Sequence, residues 1–173
     1  TVRPDLRSSS AICTPDDPET AWEEHRAAAA VPEALDRAGF EVTASYLGLD
    51  TAFLARFGSG PTRIALCAEY DALPGLGHAC GHNLIAASAV GAALGLAAVA
   101  DDVGVTVEVY GTPAEEGGGG KIEMLDRGAF ADVDLAMMVH PAAVDVAEAR
   151  PFAVSHSHIS YTGKSAHAAA YPE

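Results

Sequence analysis

Apolar and polar positions change period several times along the chain. Over residues 19–38, Trp22, His25, Ala29 and Leu35 recur at helical spacing among alanines and charged residues. That pattern predicts a helix that Pro32 kinks or restarts and Gly39 ends. Residues 41–47 and 51–57 are short alternating runs either side of Gly48-Leu49-Asp50, and they predict two strands. Residues 63–68 form a continuous apolar run of the kind buried in a mixed or parallel sheet. Next come a helix over 84–98 capped by Asn83, a strand over 105–110, a helix over 121–127 and a strand over 135–139. Residues 154–162 alternate again, residues 1–18 are polar and Pro-rich, and no internal repeat is present.

Strands alternating with helices predict an α/β sheet with helices on its faces. In such open sheets, ligands bind beyond the carboxyl ends of the strands. Asp71 through His82 follow the run ending near Ala68. Glu115 and Glu116 follow the one ending near Tyr110, and His140 follows Val139. All three groups therefore emerge on one rim. They bring a thiol, two imidazoles and two carboxylates, donors that borderline-soft divalent metals prefer.

The spacing of Cys80 and His82 fits a loop. Residues two apart face one side of an extended segment but opposite sides of a helix. Gly81 between them allows a tight turn, so both side chains can reach one metal cluster. Taken singly, each feature has a plainer explanation: a buried Cys, a capping His, a solvated pair of glutamates, a histidine at a strand end. Their convergence favours metal. Adjacent glutamates can also divide labour, one coordinating and its neighbour accepting a proton from metal-bound water. Residues 117–120 are four glycines that let the backbone approach the cluster. They lack the Lys-Ser/Thr of a P-loop and the spaced glycines of a dinucleotide fingerprint, so a phosphate cradle is disfavoured. A closed structural zinc site is disfavoured too, since such sites use Cys and His without paired glutamates.

Composition narrows the class further. With 173 residues, of which 49% are hydrophobic, the chain can bury one real core. Its formal charge of −14 and the lack of a basic stripe exclude nucleic acid as a partner. Three cysteines without framework spacing fit a reducing, cytoplasmic setting. The most apolar stretch, 84–100, is short for a bilayer span and no secretory signal precedes it, so no membrane partner is expected.

Residues 68–75 (AEYDALPG), 78–83 (HACGHN) and 111–119 (GTPAEEGGG) together resemble peptidase family M-20. Residues 22–26 (WEEHR) resemble its first helix, and 163–168 (GKSAHA) the opening of its smaller lid domain. Tyr70 and Asn83 are most similar to the branch acting on β-alanyl-lysine-type dipeptides and p-aminobenzoyl-glutamate. The resemblance implies a three-layer, zinc-exopeptidase-like α/β domain with a mostly parallel mixed sheet, incomplete here, over residues 1–150. Residues 151–173 would begin an α+β lid and dimerisation domain with its first strand. Two divalent ions are implied, zinc favoured, with manganese, cobalt or nickel also compatible. Cys80 would bridge them, His82 and His140 would be terminal ligands, Glu116 a carboxylate ligand, and Glu115 the general base. Asp71 would orient a ligand from behind, and His167 would contact substrate across a homodimer of the full-length form. Glu69 stands where the family's peptidase members carry a ligand His, a place the resemblance gives to His82. The implied activity is metal-dependent cleavage of an amide bond in N-acyl amino acids or dipeptide-like substrates. Because family members run on well beyond this length, the alternative is a non-catalytic fragment that folds and binds metal without a C-terminal ligand and lid.

Overall fold

The computed structural model describes residues 18–150 together with 153, 155, 157, 159–167, 169 and 170. The chain divides into two compact units, Thr1–Ala142 and Ala143–Glu173. In the second, the described residues form no helix or strand. Val154, His156 and His158 of the expected alternating strand lie outside the described residues, as does Cys13.

In the first unit the elements run α1 (His25–Asp36), β1 (Glu41–Ala44), β2 (Phe53–Phe57), β3 (Thr62–Ala68), α2 (His82–Ala97), α3 (Ala100–Val103), β4 (Val105–Gly111), α4 (Gly120–Asp126) and β5 (Leu135–Met137). Helix α1 starts later than the periodicity implied because Trp22 turns left-handed, at φ 66°. Its first-turn donors are taken from a distance: the Glu19 carboxylate accepts from the Arg26 and Ala27 N–H groups, each at 2.9 Å. The helix does not restart at Pro32 but runs through it as one element. That proline lies inside α1 and is buried with Val31 and Leu35, and that burial offsets the one missing donor.

Strand β1 stops at Ala44 rather than running to residue 47, since Ser45 and Leu47 adopt positive φ and lead into a 3-10 turn, Tyr46–Gly48. Helix α2 opens at His82, two residues ahead of expectation. The residue before it is Gly81, left-handed at φ 88°, while Asn83 only accepts the Leu84 N–H within the first turn.

The sheet order is β1-β2-β4-β3-β5. The β1–β2 and β2–β4 pairs are antiparallel, whereas β4–β3 and β3–β5 are parallel, so the sheet is open and mixed. Alternation along the strands builds a layer on each face. Phe53, Leu66, Ala68, Val107 and Val109 pack with Val31 and Leu35 of α1 and Ala86 and Val90 of α2. On the other face, Leu54, Ala65 and Tyr110 pack with Leu49 and with Met124 of α4. Central β4 is buried along its whole length, and edge strand β5 is exposed. Fully buried Glu108 is kept on the second face by donation from Arg56 Nε and from the Tyr110 hydroxyl, both at 2.8 Å. Among the described residues no helix is long and apolar enough to cross a membrane.

Candidate metal centre

Parallel pairing sets Ala68 of β3 opposite Gly111 of β4, so both strands end at one level. The Thr112 N–H then donates to the Ala68 carbonyl at 2.9 Å, extending the ladder by one bond. Beyond that level β3 delivers Glu69 and Asp71, β4 delivers Glu115 and Glu116, and the chain beyond β5 delivers His140. His82 enters from the first turn of α2 and is fully buried.

His82 is the hub. Its Nδ1 lies 2.9 Å from Asp71 Oδ1 and 2.8 Å from the Asp71 carbonyl, both pure acceptors, so Nδ1 carries the proton. The lone pair of the neutral ring is then on Nε2. That atom stands 3.3 Å from Glu69 Oε2, 3.7 Å from Glu115 Oε2 and 3.8 Å from Glu116 Oε1. Cys80 Sγ is 3.5 Å from His140 Nε2, and the His82 and His140 rings meet edge to face at 6.3 Å. Two donor groups result, Cys80-His82-His140 and His82-Glu115-Glu116. Within each, the ligand atoms lie within 4.8 Å of one another, and His82 belongs to both.

Three buried atoms here have no hydrogen-bond partner: His82 Nε2, Glu116 Oε1 and Glu69 Oε2. Such groups normally find partners, because leaving one unsatisfied costs about 1–3 kcal/mol. One nitrogen and two carboxylate oxygens turned toward one another fit a divalent cation. The thiol and imidazoles extend the same donor set, so the residues present fit the implied group.

Electrostatics follow from burial and charge. Burial would raise the Asp71 carboxyl, but the His82 hydrogen bond and the Glu116 N–H outweigh it and hold it below its usual value. His82 is the converse: burial lowers it, yet the bond to Asp71 and the surrounding carboxylates leave it raised. Burial, then the Glu116 carboxylate, pushes the Cys80 thiol up to about 11. Burial and the charge of Glu69 raise Glu115, whose side chain is 44% exposed.

The loop carrying the glutamates is held from behind. Buried Glu24 accepts the Ala114 N–H through Oε1 at 2.7 Å, where Ala114 turns left-handed at φ 54°. A Cβ at Gly118 would stand 2.3 Å from Trp22 Nε1 and 2.7 Å from Ala114 Cβ. That glycine therefore makes room for the chain's own aromatic ring rather than for the cluster. At Gly81 a Cβ would meet Pro141 Cγ at 2.9 Å, so the Cys80 turn and the His140 segment touch.

The structure brings Cys80, His82, Glu115, Glu116, His140 and Asp71 together, with His82 on a helix rather than sharing an extended loop with Cys80. His167 is exposed, within the second unit. Tyr70 belongs to the core, donating to the Thr51 carbonyl and stacking on Phe53. Residue patterns missed Glu24 and the ion pair of Lys121 with Glu69. Their only sequence signal was an acidic or basic residue beside a recognised motif.

An open α/β sheet with sulfur, nitrogen and oxygen donors gathered at its carboxyl rim defines a protein with a candidate dinuclear metal centre. The chain belongs to Peptidase family M20/M25/M40, whose model matches residues 65–168. It is 44% identical over 169 residues to Xaa-Arg dipeptidase of Mus musculus, covering 90% of this chain and 39% of that one. To a p-aminobenzoyl-glutamate hydrolase chain of Escherichia coli it is 40% identical, over 91% of this chain and 37% of that one. The YXEP protein of Bacillus subtilis, a dinuclear metal binding peptidase from the M20 family, superposes with a TM-score of 0.65 at 25% identity. That match covers 76% of this chain and 42% of that one.

Proposed function

We propose that the chain carries the metal-binding and proton-transfer part of an amidohydrolase that cleaves the amide bond of an N-acyl amino acid or dipeptide-like substrate. The observation that carries this reading is buried His82. One nitrogen is pinned by Asp71, the other has no partner, and both donor groups share it. Cys80, His82, Glu116 and His140 would hold two divalent ions with Cys80 between them; its soft sulfur favours zinc mildly, and manganese, cobalt and nickel are compatible. When bound, such ions polarise the amide carbonyl and acidify a water.

The remaining work falls to the protein. Glu115 is reachable from solvent and its raised pKa brings it nearer the working pH, so its carboxylate is suited to accept the water's proton and return it to the leaving nitrogen. Asp71 holds the His82 ring in one tautomer and orientation. The names of the two curated relatives support an amide substrate with an amino acid on one side. His167 is assigned to substrate contact and residues 151–173 to the start of a lid, in a cytoplasmic protein whose full-length form dimerises. A second reading, that these 173 residues bind metal without turning substrate over, is favoured by their spanning 39% of the dipeptidase relative.

Elemental analysis of the purified chain, with an amide-hydrolysis screen of this chain and of a full-length parent, tests both readings. Glu115→Gln in the active form should lower kcat by at least ~100-fold and keep metal, whereas Glu116→Gln should lose metal first. Near-normal turnover in the Glu115 variant would remove that residue from the mechanism.

A further inference from the structure

We infer that Glu69 is a further metal donor, supplying an oxygen to the ion that His82 holds, with Lys121 fixing its orientation. The inference rests on the metal-dependent reading above. Glu69 leaves the end of β3 with its side chain only 3% exposed. Its Oε1 is occupied by the Lys121 ammonium at the start of α4, and Oε2 has no hydrogen-bond partner. This second oxygen is the carboxylate atom nearest His82 Nε2, at 3.3 Å against 3.7 Å for Glu115 and 3.8 Å for Glu116.

A plain imidazole–carboxylate hydrogen bond does not explain the approach. Both Glu69 Oε2 and His82 Nε2 lack a hydrogen-bond partner, so the pair is close without being aligned for a bond. Two donors sharing one zinc ion, each roughly 2.0–2.2 Å from it, stand roughly 3.0–3.5 Å apart. The observed separation falls in that interval. Lysine has no acceptor with which to compete for the ion, so its contact leaves Oε2 as the free end of the carboxylate. The ion pair also cancels Glu69's charge, which adds an oxygen donor to an already acidic cluster at no net charge.

The test uses the 173-residue chain and zinc alone. Zinc dissociation constants are measured by competition with a chromophoric chelator for the wild type, Glu69→Gln and Lys121→Met. The wild type should bind two ions, Glu69→Gln should weaken one of them by about 10–100-fold, and Lys121→Met, which lets the Glu69 carboxylate turn away, should weaken the same ion less, by about 3–10-fold. If Glu69 serves only as the partner of Lys121, both variants lose thermal stability alike and keep both zinc constants, which overturns the inference and leaves the metal-dependent reading intact. A wild type that binds no zinc overturns both. Should Glu69→Gln fail to fold, a crystal structure of the zinc-loaded wild type decides. Glu69 Oε2 within about 2.2 Å of an ion supports the assignment, and a distance beyond about 3 Å refutes it.

Discussion

The Glu116 backbone N–H donates to Asp71 Oδ2 at 2.9 Å, and the other oxygen of Asp71 faces His82 Nδ1. A single carboxylate thus ties the loop after β3, the loop after β4 and the first turn of α2 into one frame. Asp71→Asn has only one acceptor oxygen left, so one of the two bonds must fail. Zinc affinity should fall by about 10–100-fold, read by chelator competition. Unchanged affinity with a lowered Tm would reduce Asp71 to a structural tie.

Cys80 lies among carboxylates and beside His140, and as a neutral thiol it contributes little there. Cys80→Ser should cut the zinc stoichiometry of the purified chain and erase most of the thermal stabilisation that zinc gives. Elemental analysis showing full occupancy in this variant would remove the bridging assignment.

Zinc loading should release protons, because the Cys80 thiol is held up to about 11 without metal and a bound thiolate has lost its proton. The metal-free protein adds a second dependence. A raised His82 contributes stability fully below its unfolded value, near 6.5, and loses it as pH climbs through the higher folded value. Depressed Asp71 works the other way, its contribution present above about 3.8 and lost only on further acidification. The Tm difference between zinc-loaded and metal-free chain should therefore widen as pH rises from about 6 to about 8. Calorimetry in buffers of differing ionisation enthalpy counts the protons; release of none would contradict thiolate ligation.

Removing the Glu24 carboxylate leaves the Ala114 N–H buried and unpaired. Glu24→Ala should cost about 1–3 kcal/mol of stability and speed amide exchange at residues 114–118. A variant as stable as the wild type would mean that this loop is held by the Trp22–Gly118 packing instead.

Strands β3 and β4 were legible to within a residue, because β3 carries an unbroken apolar run from Ile64 to Ala68 and β4 alternates Val105, Val107 and Val109 with polar neighbours. The shared rim was legible for the same reason: once parallel strands are placed, the motifs after them must leave together. What stayed hidden was non-local. Glu24 reaches Ala114 across 90 residues and Lys121 reaches Glu69 across 52, and no periodicity records such contacts. The end of β1 was hidden too, since Ser45 and Leu47 take left-handed turns without the glycine or asparagine that usually announces one. The same holds for His82: Gly81 was credited with freeing a loop, but its positive φ launches a helix.

The pairing of Ala68 with Gly111 makes the chemistry a matter of counting. Shift β3 by one residue against β4, and Glu69 and Asp71, two residues apart, both swing away from the His82 cluster toward the opposite layer. A single-codon insertion or deletion in 62–68 should therefore abolish zinc uptake even where the hydrophobic pattern survives. Indels in the exposed stretch 74–76 should be tolerated far better, so tolerance to length changes would trace the reading frame of the site along the chain.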